Sequence, residues 1–258
     1  MSEAGDPNAA SAGGSYRTLD PAKIIKTARR LSARVAERFP GSGLCKVSEE
    51  LVAEARTAEE TCRWLATPIV WLRVGVGVCI AAMLAIAIVA MFPLRSDVAP
   101  FSSVADFFQG IDAAVNEVIL IGVAIFFLTG IERRMKSRRA LKGIHVLRSL
   151  AHIIDMHQLT KDPQRLVSGG AYTPSSPVRT MSEFELIRYL DYCSEMLSIV
   201  SKIAALYVQD LRDTLTLSAV DEVESLTAGL SRKVWQKIAI IDRDAARPTA
   251  NPHANPHD

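Results

Sequence analysis

The sequence lacks the residue spacings that mark metal centres, disulfide networks and common catalytic sites. Its four cysteines lie far apart and form no CxxC pair, which predicts reduced thiols rather than a zinc site. The phosphate-binding GxxxxGKS/T loop, the GxGxxG turn, the HExxH zinc helix and the GxSxG nucleophile elbow are also missing. These absences predict a protein that is not an enzyme and needs no cofactor.

A strong excess of charge is missing as well. The formal net charge is +2 at pH 7, which is too small to predict a nucleic-acid partner. The N-terminus has neither the basic start nor the apolar core of a secretory signal peptide. Its small polar residues predict disorder over residues 1–20, and the proline-rich polar tail at 242–258 predicts disorder there too.

What the chain does contain is a long run without any charged side chain. From Val74 to Phe92, at about 1.5 Å per residue, the run forms a helix of roughly 28 Å, close to the hydrocarbon thickness of a bilayer. A second apolar run, Val118 to Ile131, is shorter and reaches spanning length only if it extends back through Glu117 and Asn116, which gives a span over 112–131. The pattern predicts an all-α membrane protein with a two-helix transmembrane hairpin, whose first span covers 69–92.

Basic residues follow the second apolar run directly and are scarce between the two runs. This asymmetry predicts that both termini lie in the cytoplasm, with the connection outside. A topology signal is the simpler interpretation of the cluster, and contact with anionic lipid headgroups at the membrane interface is the alternative. The residues concerned are Arg133, Arg134, Lys136, Arg138, Arg139 and Lys142.

The connection between the spans, 93–111, is predicted to be a short external loop with an interfacial helix, because its aromatic and aliphatic residues recur at spacings of three and four. Glu117, next to Asn116, is the one carboxylate of the second span beyond its first residue, Asp112. It lies only about 8 Å from the predicted outer edge, so solvation at the interface is the favoured interpretation. A role of this polar pair in an ion pathway is the alternative.

Amphipathic segments flank the spans on the cytoplasmic side. Over 21–67 two apolar stripes predict two helices, the first with Asp20 as its cap and Pro21 in its first turn. After the membrane, a basic helix is predicted to continue from the span over 132–161, followed by a loop at 162–181. The members of the two stripes are Ile24, Ala28, Leu31, Val35 and Phe39, and then Leu44, Val47, Leu51, Ala55, Ala58 and Leu65.

The segment 182–241 predicts an antiparallel, coiled-coil-like helical hairpin. Ser182 and Glu185 form a capping box for its first helix, and Ser218 is the predicted start of its second. Apolar positions alternate spacings of four and three along both helices. The two seams are Leu186, Leu190, Cys193, Leu197, Val200, Ala204, Tyr207 and Leu211, and Val223, Thr227, Leu230, Val234, Ile238 and Ile241.

Further apolar positions widen the stripe of the first hairpin helix beyond a two-helix seam. If three helices alone form the bundle, these positions stay partly uncovered. They therefore predict self-association of the chain, most simply as a symmetric dimer. The positions are Phe184, Ile187, Met196, Ile199 and Ile203.

The histidines near the end of the basic helix do not form a metal site within one chain. His145 and His152 share a face but lie about 10 Å apart along the axis, whereas zinc–nitrogen bonds are only about 2 Å. His157 points to another side of the helix, and His152 with Asp155 supplies two ligands only. A structural role at the helix end is the favoured interpretation, with a metal or protonation site between subunits as the alternative.

Two resemblances follow from this region and from the layout of the chain. The stretch "LRSLAHIIDMHQLTKDP" and the basic run before it, within 130–163, resemble the segment after the second span in bacterial membrane proteins of unassigned function. In architecture the chain is similar to SLATT-type proteins, which are two-span modules with a cytoplasmic helical extension. The second resemblance implies a membrane-disrupting effector of bacterial defence.

Together these patterns predict a membrane-anchored helical interaction or scaffold protein without enzymatic activity. It is expected to assemble with itself or with a cytoplasmic protein partner that the sequence does not identify. An oligomeric pore, or a membrane-disrupting effector gated by the cytoplasmic bundle, is the alternative. A pore demands a polar stripe along a span, and the few polar residues of the spans do not form one.

Overall fold

The computed structural model describes residues 17–91, 104–159, 161, 181–211 and 213–245. Every regular element within these ranges is a helix, so the predicted all-α class is confirmed. The chain divides into two compact units, the first made of 1–63 with 140–258 and the second of 64–139. The helices are α1 (Pro21–Arg38), α2 (Gly43–Ala66), α3 (Val70–Met91), α4 (Val104–Leu159), α5 (Glu183–Gln209) and α6 (Thr214–Ala245).

Helix α1 begins and ends where the sequence predicts. The Asp20 carboxylate accepts a hydrogen bond from the backbone N–H of Ala22 at 2.9 Å, and Pro21 occupies the first turn. At its other end the Phe39 N–H donates to the Val35 carbonyl, and Gly41 adopts a φ of 69°, which favours glycine. The chain then turns back into α2, so α1 and α2 form a hairpin.

The two predicted apolar stripes of α1 and α2 are buried along their whole length, from Ile24 to Phe39 and from Leu44 to Leu65. Between the two helices the Ser48 hydroxyl donates to the Ser32 hydroxyl at 3.0 Å. Burial of such stripes is what stabilises amphipathic helices of this length, because intrinsic helix propensity alone is too weak.

Helices α5 and α6 form the predicted antiparallel hairpin, and both predicted seams are buried. The capping box of α5 is present: Glu185 N–H donates to the Ser182 hydroxyl, while the Glu185 carboxylate accepts from the Ser182 N–H at 2.8 Å. The predicted start of α6 at Ser218 is wrong. The helix begins at Thr214, because the Asp213 carboxylate accepts from both the N–H and the hydroxyl of Thr216 and caps the helix one turn earlier.

The second half of α4 completes the core of the first unit. Gly143 of α4 lies directly against the Tyr207 side chain of α5. Helix α4 also contacts α6, where Arg148 pairs with Glu222 at 2.9 Å. The buried residues of α4 in this unit lie mostly three or four positions apart and are Ala140, Ile144, Leu147, Leu150, Ala151, Ile154 and Gln158.

Helix α1 packs antiparallel to α5. The Leu19 N–H donates to the Gln209 side-chain oxygen at 2.9 Å near one end, and Arg34 pairs with Glu195 further along. Near the other end the Phe39 ring meets the Tyr189 ring edge-to-face at 5.4 Å. The first unit is therefore a bundle of five helical segments, from α1, α2, the end of α4, α5 and α6.

The second unit holds α3 and the first part of α4. The part of α4 from Val115 onward is the one helix among the described residues that is long and apolar enough to cross a membrane by length and composition. Helix α3 contains a shorter apolar stretch, Arg73–Ala85. The prediction of a separate interfacial helix is wrong, because α4 runs without a break from Val104 through the second predicted span.

Several sequence predictions lie outside the described residues. They are the disorder expected before residue 17 and after 245, the part of the external loop at 93–103, and the loop at 162–180. Helix α6 extends to Ala245, four residues beyond the predicted hairpin boundary, so the predicted tail at 242–258 begins within the helix.

Candidate functional site

A cluster of charges joins the start of α3 to α4 in the second unit. The Glu132 carboxylate accepts hydrogen bonds from the Ile69 backbone N–H at 3.3 Å and from the Arg73 Nε at 3.2 Å. The Lys136 Nζ, one turn further along α4, lies 3.2 Å from Glu132 Oε1, the same oxygen that accepts from the Ile69 N–H. We call Ile69, Arg73, Glu132 and Lys136 the hairpin clamp.

The position of the clamp explains why a carboxylate belongs there. The first backbone N–H groups of a helix have no partner within that helix and carry a partial positive charge. Glu132 satisfies one such group at the start of α3 while two cations compensate its own charge. Burial favours the neutral acid, but the hydrogen bonds from Lys136, Arg73 and the Ile69 N–H outweigh it and lower the pKa of Glu132.

A second contact lies at the same end of this unit. The guanidinium of Arg139 stacks over the Trp64 ring at 4.5 Å from the ring centroid. Tryptophan is the aromatic side chain that attracts cations most strongly, so the stacking stabilises the contact between Arg139 and Trp64. Arg139 keeps its positive charge. Arg139 and Lys136 are therefore both engaged by residues of the same unit.

The six basic residues nominated as a lipid surface are thus not equivalent. Lys136 is only 13% exposed and belongs to the clamp. Arg133, Arg134, Arg138 and Lys142 are exposed, as is Arg139 despite its stacking on Trp64. Lipid contact by the cluster stays a prediction, but Lys136 has a different and structural role.

The polar pair within the second predicted span is placed on α4 without forming a larger site. Asn116 is exposed and Glu117 is half-buried. No ion pair with either side chain occurs in the described part of the chain. No ion-pair partner thus supports a role of Asn116 and Glu117 in a pore, and that role stays a prediction.

The five residues that predict self-association separate into two groups. Met196, Ile199 and Ile203 are buried within a single chain, so the expectation that they stay uncovered is wrong. Helix α1 is a further neighbour of α5, which it contacts at Tyr189, Tyr192 and Glu195. A bundle of three helices alone leaves this neighbour out.

The other two residues of that set remain near the surface. Ile187 is half-buried against the α5–α6 core, and Phe184 is 57% exposed. The guanidiniums of Arg38 and Arg188 lie 5.2 and 5.8 Å from the centroid of the Phe184 ring. Self-association stays a prediction, and of the five residues only Phe184 is exposed enough to carry it.

The histidines occupy three separate environments. His145 and His152 are exposed on α4, while His157 is half-buried and its ring lies against Gly43 at the start of α2. No group of three His, Cys, Asp or Glu side chains able to hold a metal ion occurs among the described residues. Packing against Gly43 agrees with the structural interpretation of His157 and gives it a partner that the sequence did not indicate.

All four cysteines are free thiols. Burial raises the pKa of the Cys193 thiol to about 12, which makes it a poor nucleophile. Burial, together with the nearby Asp210 carboxylate, raises the pKa of Cys62 to about 11. In this environment Cys193 serves as a small apolar residue of the α5 seam.

The bundle also contains a buried polar side chain, Gln158. Its backbone carbonyl accepts a hydrogen bond from Lys237 of α6 at 2.9 Å, and its amide nitrogen donates to Asp155. Its side-chain oxygen has no hydrogen-bond partner in the described part of the chain. Gln158 anchors the end of α4 to α6, and its side chain occupies a seam position where an apolar residue is more usual.

Sequence reasoning missed the clamp, although a signal was present. Glu132 is the only acid in the basic run "ERRMKSRR", and it precedes Lys136 by four residues, the spacing of a helical ion pair. Its contact with Ile69 and Arg73 joins residues about sixty positions apart. No local pattern reveals that pairing.

The fold and the site define a class rather than a particular protein. Among the described residues every element is a helix, and one of these helices is long and apolar enough to cross a membrane. No family model, curated protein or solved structure matches the chain.

Proposed function

We propose that the chain is a membrane-anchored scaffold protein without enzymatic activity. In this proposal α3 and the first part of α4 cross a bacterial inner membrane as a two-helix hairpin. Both termini and the five-segment bundle lie in the cytoplasm, as the distribution of basic residues predicts. The bundle then offers its surface to a protein partner or to a second copy of the chain.

One observation carries the proposal: the described side chains in the apolar part of α4 are mostly exposed. None of the apolar window of this helix is buried, and Phe126, for example, is 76% exposed. Soluble monomers rarely expose contiguous apolar patches larger than a few hundred Å². A core helix of a soluble protein would be covered by its neighbours, so a bilayer is the environment that best suits this surface.

The interior of the bundle supports a scaffold role. The buried positions of α1, α2, α4, α5 and α6 are filled mainly by aliphatic and aromatic side chains, and burial raises the pKa of the Cys193 thiol. Tightly packed helices of this kind hold a rigid surface, which suits binding of a partner.

Membrane insertion and topology test the proposal directly. Alkaline carbonate should leave the full chain in the membrane pellet. It releases proteins that are held to the membrane by electrostatic contacts, but it does not extract a helix that crosses the bilayer. Reporter fusions at Asp20 and Asp242 should behave as cytoplasmic, and a fusion at Val98 as external. Release by carbonate, or an external signal from either terminal fusion, would refute the two-span scaffold.

Conductance separates the scaffold from the pore alternative. Purified chain reconstituted in planar bilayers is expected to show no discrete channel openings, because the few polar residues of the second span, such as Asn116, Glu117 and Thr129, do not form a polar stripe along it. Reproducible openings that disappear in Glu117→Gln would favour the pore and overturn the scaffold proposal.

A further inference from the structure

We propose that Arg134 and Arg138 form a binding surface for the phosphates of anionic lipids in the cytoplasmic leaflet. The inference rests on the proposed membrane anchoring of α4 and deepens it by naming the lipid class. It also divides the basic cluster: Lys136 and Arg139 hold the hairpin together, whereas Arg134 and Arg138 face the lipid headgroups.

The first step is that the side chains of Lys136 and Arg139 already make contacts within the second unit. Lys136 pairs with Glu132 at 3.2 Å and is largely buried, and Arg139 stacks on Trp64 at 4.5 Å. Moving either side chain to a headgroup would break a contact within the second unit. Neither is therefore free to select a lipid.

The second step is that Arg134 and Arg138 are exposed and lie together on the opposite side of α4. In the described part of the chain neither guanidinium has an ion-pair partner. Four residues apart, they are separated by about 6 Å along the axis and about 40° around it. Each lies about 160° around the helix from Lys136, so the clamp and this pair face in different directions.

The third step concerns the ligand. Guanidinium groups bind phosphate through two parallel hydrogen bonds and keep their charge at any physiological pH. The pair begins three residues after Ile131, the end of the apolar run, which is the depth of the headgroups in the proposed topology. An open, convex helix face holds a single soluble anion poorly, whereas an anionic leaflet presents phosphates at high local concentration.

The experiment measures lipid selectivity on the full chain in lipid nanodiscs. Spin-labelled phosphatidylglycerol and spin-labelled phosphatidylcholine are compared by electron paramagnetic resonance, which reports the fraction of each lipid immobilised by the protein. Each basic residue near the surface contributes about a fivefold preference for an anionic lipid. Arg134→Gln/Arg138→Gln should therefore remove most of the parent's preference for phosphatidylglycerol.

Lys136→Gln/Arg139→Gln is the matched control, because it removes the same number of charges from the same helix. It should keep the lipid preference while lowering the thermal stability of the chain. Equal loss of preference in both double variants would overturn the division of the cluster. A parent without any preference for phosphatidylglycerol would overturn lipid binding itself.

Two further readouts distinguish the possible failures. Inorganic phosphate at 10 mM or so should leave the selectivity unchanged beyond the effect of matched ionic strength; a specific loss would assign the surface to a soluble anion instead. Carbonate extraction of both double variants should leave them in the membrane. An extractable parent chain would mean that the anchoring proposal has failed, whereas an integral chain without selectivity would refute the lipid surface alone.

Discussion

The two units of the chain arrange their apolar side chains differently. In the bundle, apolar positions alternate spacings of four and three, and Leu190, Val200 and Val234 are fully buried by neighbouring helices. In the other unit, apolar residues surround the helices, and Val118 and Phe126 are mostly exposed. A stripe can be covered by protein, but a helix that is apolar on all sides needs an apolar solvent. The periodicity of the residues thus distinguishes two environments.

The largest effect is expected when charge enters the bundle at α5. Ile199→Glu/Ile203→Glu places two carboxylates at positions that are buried within one chain. Burial of an unpaired charge costs several kcal/mol, so the double variant should lose the cooperative unfolding transition of the bundle in circular dichroism. Phe184→Glu, at an exposed site of the same helix, is the control and should keep that transition. A folded double variant of smaller mass would instead place these isoleucines between chains.

A smaller effect is expected from filling the space between α4 and α5. Gly143→Ala would place a methyl group against Tyr207, whose ring must then move, and should lower the free energy of unfolding by about 1–3 kcal/mol. Gly229→Ala is the matched control in α6, because nothing lies within 4 Å of its added carbon. It should stabilise the chain by about 0.5–1 kcal/mol, since alanine is the better helix former. Chemical unfolding in detergent measures both, and equal effects would contradict the packing at Gly143.

The hairpin clamp is expected to stabilise the second unit, residues 64–139, and not the bundle. Glu132→Gln removes the negative charge and should lower the local stability of the start of α3 by about 1–2 kcal/mol. The loss should be visible as faster hydrogen exchange of the backbone amides at 69–73. Exchange in the bundle should not change, which serves as the internal control. Unchanged exchange at 69–73 would show that the clamp contributes no stability.

The clamp also predicts a pH dependence. The folded pKa of Glu132 is lower than its ordinary value of 4.5, so its stabilising contribution is fully present above that value. It is lost as the pH falls through the lowered pKa. Protection of 69–73 should therefore fall in acid in the parent but change less in Glu132→Gln. Equal acid sensitivity in both would assign the effect to other carboxylates.

The smallest effect concerns the histidines. His152→Ala, at an exposed site, should change stability by less than about 0.5 kcal/mol. His157→Ala removes a ring that packs against Gly43 and should cost about 1 kcal/mol. Neither change, nor the two together, should alter any metal content or the assembly state of the parent. Stoichiometric zinc that is lost in the double variant would instead support a site between subunits.

Local signals predicted most of the helical bundle correctly. Asp20 and Ser182 cap helices where the sequence indicates, because a capping side chain bonds to backbone only two or three residues away. The start of α6 was predicted incorrectly for a related reason. Asp213 and Ser218 both have the chemistry of a cap, and the sequence alone does not choose between them.

By itself, then, the sequence determined the helical class, the stripes that become buried and the position of the apolar run, because each depends on residues within one or two turns. Only the tertiary structure decided that Met196, Ile199 and Ile203 are buried within one chain, and that Glu132 holds the start of α3. It also decided that Lys136 and Arg139 are engaged while Arg134 and Arg138 stay exposed. These outcomes depend on which helices become neighbours, and that is set by the packing of surfaces from distant parts of the chain.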